Sequence, residues 1–68
     1  MAEDLWRYLY KDMLAHLPGK ISEAVKHVDL MVSVLGRHID KSEVEWLREV
    51  RTALARVEQE VTKKLYEL

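Results

Sequence analysis

The part of the chain from residue 41 onward carries the feature that most restricts the fold. Apolar side chains recur there every three or four residues: Val44, Leu47, Val50, Leu54, Val57, Val61, Leu65 and Leu68. The segment contains no Gly or Pro that would interrupt a helix. A spacing this close to a heptad predicts one long helix over 41–67, with an apolar seam that packs along another helix.

The residues just before this segment indicate where the helix begins. Asp40 and Glu43 have the spacing of a capping box, and Ile39 and Val44 occupy the positions of a hydrophobic staple. The pattern predicts that the helix begins between residues 41 and 43. It also predicts that the chain reverses direction immediately before that point.

Residues 20–39 predict a helix with apolar side chains on two of its sides. One stripe repeats at helical spacing: Ile21, Val25, Val28, Val32, Leu35 and Ile39. Leu30 and Val34 lie on roughly the opposite side, one turn apart. A helix of a small monomer needs only one buried stripe, so we expect the second stripe to pack against a partner.

Residues 2–17 predict a further helix, and the residues that follow predict its end. Its apolar positions follow helical spacing: Leu5, Trp6, Leu9, Met13 and Leu17. Proline disrupts a helix interior but is favoured at the first helical position. We therefore expect one helix to end before Pro18 and the next to begin there, with the two helices antiparallel.

Together these segments predict an all-α fold: a three-helix antiparallel bundle with a long C-terminal helix. The helices span about 2–17, 18–38 and 41–67 within one helical domain, 1–68. At ~1.5 Å per residue the third helix is ~40 Å long, against ~24 Å and ~30 Å for the others. Its C-terminal end is expected to extend beyond the other helices and to expose apolar residues there.

Length and composition favour self-association. A chain of 68 residues buries only about 60% of the surface that it exposes when unfolded. The absence of Cys removes disulfides and thiolate metal sites, so oligomerisation is the favoured way to stabilise so small a core. The interface is expected to use eight residues: Leu30, Val34, Trp46, Leu54, Val57, Val61, Leu65 and Leu68.

No residue pattern indicates catalysis, a metal or a cofactor. His27 and His38 lie three turns apart on one expected helix, about 16 Å, so they cannot bind one ion within a single chain. The HExxH and Glu-x-x-His spacings are absent, as is a glycine-rich phosphate loop. Ser42 is interpreted as a cap, and Ser22 and Ser33 as solvated helix positions. The chain is therefore predicted to be non-enzymatic.

Charge and the N-terminal residues restrict location and partners. Lys plus Arg (11) nearly balance Asp plus Glu (12), so no net field attracts nucleic acid or an anionic membrane. The first residues, MAEDLW, are acidic where a signal peptide is basic, and no apolar run approaches ~18 residues. We expect a cytoplasmic protein without a membrane partner. The absence of Asn and the abundance of Glu and Arg are typical of a thermophile-like composition.

These features favour a protein–protein interaction or scaffolding module that self-associates as a helical bundle, as a homodimer or higher oligomer. One alternative is a small oligomeric regulator that binds nucleic acid through a composite basic surface. Acidic residues interleave with the basic residues of the last helix, which does not favour that alternative. The other alternative is an oligomeric enzyme or metal protein with histidines contributed by different subunits.

Overall fold

The computed structural model consists of two long α-helices joined by a short connection. It describes residues 2–68, with the side chains of residues 4–68; Met1, which the sequence assigns to the same domain, lies outside the described residues. Helix α1 spans Ala2–Leu35 and helix α2 spans Lys41–Glu67. No strand occurs in residues 2–68, which confirms the all-α class. The three-helix bundle is wrong, because the chain is a helical hairpin.

The expected break at Pro18 does not occur, because α1 continues through this residue. A proline in a helix interior removes one backbone hydrogen bond and costs about 3 kcal/mol. The apolar repeat stays in phase across it, since Leu14, Leu17, Ile21 and Val25 are three or four residues apart. A continuous helix keeps this stripe on the side that packs along α2. That packing outweighs the local preference of proline, so the helices predicted at 2–17 and 18–38 are one.

The connection of residues 36–40 reverses the direction of the chain. Helix α1 ends at Leu35, immediately before Gly36, and so it stops short of the predicted residue 38. A Cβ atom on Gly36 would collide with the carbonyl oxygen of Val32, so the absence of a side chain permits this backbone path. The backbone N–H groups of His38 and Ile39 donate to the Leu35 carbonyl at 2.8 and 3.2 Å.

Helix α2 has the bounds that the sequence predicts for the C-terminal helix. Asp40 is its N-cap residue, and the Asp40 carbonyl accepts hydrogen bonds from the N–H groups of Glu43 at 2.9 Å and Val44 at 3.2 Å. The Asp40 side chain makes no capping hydrogen bond, so the predicted capping box does not form. The helix therefore begins where the chain reversal and the apolar repeat require it.

The two helices run antiparallel, with Asp29 opposite Arg51. The Nε group of Arg51 donates to Oδ1 of Asp29 at 2.8 Å, and at the far end Leu68 lies beside residues of the first turns of α1. Helix α1 has 34 residues and α2 has 27. At ~1.5 Å per residue α1 is longer by ~10 Å. The overhang thus belongs to the N-terminal end of α1, and the expected overhang of the C-terminal helix is wrong.

The core between the helices is thin. The buried hydrophobic residues among those described are Ile21, Val28 and Leu47, which remain 9%, 8% and 7% exposed. The backbone measures 56 × 16 × 13 Å, the shape of a single layer of two helices. Because stable domains bury their core between at least two layers, one hairpin supplies only half of such a core.

Candidate association surface

The side of a helix on which a residue lies follows from its place relative to the buried seam. Asp29 directly follows the buried Val28, and Arg48 directly follows the buried Leu47. Both residues line one shallow groove between the helices, so positions that follow a seam residue share one side of the hairpin. Successive residues are about 100° apart on a helix, so positions that directly precede a seam residue lie on the other side.

The first of these sides is polar, and we call it the polar face. Its groove is lined by Val28, Asp29, Val32, Ser33, Arg48, Arg51 and Thr52. The ion pair between Asp29 and Arg51 is 52% and 47% exposed on the two side chains. Solvent screens an ion pair this exposed, which contributes at most about 1 kcal/mol. The ion pair on the polar face therefore shows which residues of the two helices lie opposite each other, but it contributes little to stability.

The other side is apolar along most of its length. Trp46 directly precedes the buried Leu47, and Val34 precedes Leu35 at the corresponding position of α1. Trp6 and Met13 are four and three heptads before Val34, and so they keep its position relative to a seam that repeats every seven residues at Ile21 and Val28. The side chains of Trp46, Val34, Trp6 and Met13 are 57%, 59%, 68% and 72% exposed, in the order given. We define the apolar face by eight residues: Trp6, Met13, Leu17, Met31, Val34, Trp46, Val50 and Val57.

The eight residues that the sequence assigns to an interface are not all on this face. Five are between 44% and 59% exposed: Leu30, Val34, Trp46, Val57 and Leu68. Three of these five belong to the apolar face, whereas Leu30 lies farther round α1 and Leu68 ends α2. The remaining three, Leu54, Val61 and Leu65, are half-buried on the side of α2 that packs along α1. The hairpin itself thus uses part of the predicted interface.

The N-terminal half of the apolar face is missing from the sequence-based assignment. The sequence assigns Trp6 and Met13 only to the apolar positions of a separate first helix, and both are largely exposed. The signal that could have placed them is the seven-residue spacing of positions 6, 13, 20, 27 and 34. This spacing has meaning only if α1 is continuous, and the expected break at Pro18 concealed it.

The hairpin exposes more surface than a compact chain of its mass. A folded monomer of 8.0 kDa is expected to expose about 4,500 Å². The hairpin exposes 5986 Å², an excess of about 1,500 Å². A standard protein–protein interface buries about 800 Å² on each partner. The excess is therefore sufficient for an extensive interface.

The histidines and acidic residues among those described do not form a metal-binding cluster. No cluster of three His, Asp or Glu side chains suited to a metal ion occurs among them. His16 lies inside α1, with Nδ1 at 2.8 Å from the Asp12 carbonyl oxygen. The largest surface depression is lined by α2 alone, at Glu58, Gln59, Thr62, Lys63, Tyr66 and Glu67, and so it encloses nothing.

Neither described helix is apolar over a stretch long enough to cross a bilayer. Comparison with known proteins finds no matching family model, no similar curated protein and no similar solved structure. The two faces of the hairpin are therefore the features of the molecule that bear on its function.

Proposed function

We propose that the chain is a non-enzymatic interaction or scaffolding module that self-associates as a helical bundle through its apolar face. The observation that carries this proposal is the exposure of Trp6, Met13, Val34 and Trp46 on one side of a hairpin whose core is thin. Contiguous exposed apolar patches of this kind mark interaction sites in proteins. Tryptophan and methionine are also enriched where protein interfaces are fully buried.

Association would complete the thin core between the two helices of the hairpin. In the hairpin alone, the described residues contain no large side chain that is fully buried. A second layer of helices over the apolar face would convert half-exposed side chains into core residues. Fully burying a large aliphatic side chain contributes about 1.5–3 kcal/mol. Burial of several such residues would stabilise a chain whose monomer is marginal.

The nucleic-acid alternative has weaker support. Acidic residues lie between the basic residues of α2, which include Arg48, Arg51 and Arg56. Arg51 is already paired with Asp29 on the polar face. The remaining positive charge is diluted by Glu45 and by other acids, so the helix does not present a continuous basic strip.

Sedimentation velocity of the native chain and two matched variants tests the proposal. Trp46→Asp places a charge on the apolar face, and Thr52→Asp places the same charge on the polar face. Both positions are exposed in the interior of α2, so the intrinsic helix penalty is similar. We expect the native chain and Thr52→Asp to sediment as an oligomer, and Trp46→Asp to sediment as a monomer or to be shifted strongly toward one.

A native chain that remains monomeric at millimolar concentration would exclude self-association. Equal dissociation in the two variants would show that the apolar face is not the interface. Circular dichroism of each variant establishes whether the helices are retained.

A further inference from the structure

From the heights of the side chains along the hairpin, we infer that two copies pair with their connections at the same end. The apolar faces meet, the two-fold axis runs parallel to the helices, and α1 of each copy packs over α2 of the other. The occupant of the apolar face is thus a second copy of this chain in a defined orientation. This inference rests on the proposed self-association and adds its geometry.

A two-fold axis parallel to the helices fixes the register between α1 of one copy and α2 of the other. A two-fold axis parallel to the helices keeps every residue at its own height along the bundle. The register of α1 on the second copy's α2 is therefore the register within one hairpin, where Asp29 lies opposite Arg51. Each step toward the N-terminus of α1 corresponds to one step toward the C-terminus of α2, about 1.5 Å.

This register pairs residues of the apolar face that are complementary in size. Near the connections, Val34 meets the second copy's Trp46 at the same height. One turn away, Met31 meets Val50, again within about one residue of the same height. Farther along, Ala24, half-buried beside the apolar face, meets Val57, so each of these pairs combines a larger side chain with a smaller one. Alternation of this kind allows two layers of helices to interdigitate.

The charges in the middle of the face fit the same register. The apolar face is interrupted on α1 by Lys20 and His27 and on α2 by Glu60 and Lys64, and all four side chains are exposed. By the Asp29–Arg51 register Lys20 and Glu60 lie at one height. In the inferred pair each Lys20 faces the second copy's Glu60, and the two-fold axis produces this contact twice. Opposite charges therefore meet where the apolar contacts are interrupted.

The opposite arrangement fits less well. A two-fold axis perpendicular to the helices would place α1 against the second copy's α1, with the connections at opposite ends. Centred on the exposed stripe from Trp6 to Val34, it would bring Lys20 onto Lys20 of the other copy. It would also place Trp46 beyond the C-terminal end of the second α2, because position 46 would oppose position 74. Lys20 would meet Lys20 and Glu60 would meet Glu60, and like charges across an interface disfavour this pairing.

The overhang of α1 has a partner in the inferred arrangement. With both connections at one end, both N-terminal overhangs lie together at the other end. At this height the second copy has no α2, so Trp6 of each copy, which is 68% exposed in the single hairpin, would face the other overhang across the two-fold axis, about 11–14 Å away on the diagonal of the four helices. The pair would bury about 1,500 Å² on each chain if it removed the excess surface. The total of about 3,000 Å² falls in the range of obligate dimers.

Spin-label distances distinguish the arrangements. The chain has no Cys, so Arg37→Cys in the connection carries a single nitroxide label, away from the apolar face. Helices in contact are about 8–10 Å apart, so labels at the same end should lie within about 35 Å of each other. Labels at opposite ends would be about 50 Å apart, close to the 56 Å length of the hairpin.

A second label at Gln59→Cys serves as the matched control. Gln59 is exposed and lies near the middle of the hairpin's length, so a dimer of either orientation gives a short distance there. Short distances at both sites are the expected result. A short distance at position 59 with a long one at position 37 would overturn the inferred orientation and leave self-association intact. The absence of dipolar coupling at both sites would exclude the dimer and the proposed function together.

Discussion

The polar face and the apolar face of the hairpin are built from the same two helices, yet they differ in almost every property. On the polar face, the charged groups are hydrated or paired across the helices, as Asp29 and Arg51 are. On the apolar face, the two tryptophans of the chain are more than half exposed. A monomer would be expected to turn such side chains inward. The difference indicates that only one face of the hairpin is adapted to water.

The two faces differ because neighbouring residues on each helix lie on different sides of the buried seam. A residue before a seam position and a residue after it lie on opposite sides of the hairpin. The chain places Trp46 before Leu47 and Arg48 after it. On α1 it likewise places Met31 before Val32 and Ser33 after it. This asymmetry about the seam is what makes the hairpin amphipathic in cross-section.

The largest expected effect comes from a charge in the N-terminal half of the apolar face. Met13→Asp should weaken association by at least about 100-fold, because both copies lose a buried side chain and each would bury a carboxylate. The matched variant Ala15→Asp places the same charge on the other side of α1. We expect its dissociation constant to remain within about threefold of the native value, measured by sedimentation equilibrium. Equal weakening by the two variants would remove the distinction between the faces at this end.

The second prediction concerns the continuity of α1, on which the length of the apolar face depends. Pro18 lies in the helix interior, so Pro18→Ala should raise the free energy of unfolding by about 2–3 kcal/mol. The measurement is urea denaturation at a fixed protein concentration. If a separate helix began at Pro18, the substitution would be neutral or destabilising, and Trp6 and Met13 would not extend the face.

The third prediction concerns the contact between Lys20 and the second copy's Glu60 in the middle of the apolar face. Lys20→Glu would oppose two carboxylates in each inferred contact and should weaken the dimer by about tenfold. The double variant Lys20→Glu/Glu60→Lys exchanges the charges and should recover most of the native affinity. Failure of the second substitution to restore affinity would contradict the pairing of these two positions. Dissociation constants from sedimentation equilibrium provide the comparison.

The smallest effect is expected on the polar face. Asp29→Asn removes one member of an exposed ion pair and should lower the free energy of unfolding by less than about 1 kcal/mol. The dissociation constant of the dimer should not change, because Asp29 lies on the side away from the second copy. A large loss of affinity in this variant would show that the polar face takes part in the interface, and would contradict the proposed use of the apolar face. Thermal melting and sedimentation of the same sample provide both numbers.

Part of the fold could be predicted from local patterns. The repeat from Val44 to Leu68 is uninterrupted, so propensity and periodicity agree, and the predicted bounds 41–67 are those of α2. At Pro18 they disagree, since proline favours a helix start while the apolar stripe from Leu14 to Ile21 continues in phase. The local signal favoured a break, but the structure follows the stripe, because a single long α1 packs along the whole of α2.

The candidate surface was harder to predict for the same reason. Val34, Trp46 and Val57 could be selected as exposed apolar positions on their own helices. Trp6 and Met13 could be joined to them only through the phase of a continuous α1. The half-buried Leu54 and Leu65 were assigned to a partner because the third helix was expected to project beyond the others. A sequence pattern predicts which positions are apolar, but the length of the neighbouring helix decides which of them the chain itself covers.

The emission of the two tryptophans tests the central claim most directly, because Trp6 and Trp46 are the only tryptophans and both lie on the apolar face. Their fluorescence should shift to shorter wavelength, and acrylamide should quench it less, as the protein concentration rises through the dissociation constant. In the variant Trp46→Asp, which we expect to remain monomeric, the emission of Trp6 should stay at long wavelength over the same concentration range. Emission of the native chain that stays at long wavelength and freely quenched at millimolar concentration would show that the apolar face remains in water, in contradiction to the account.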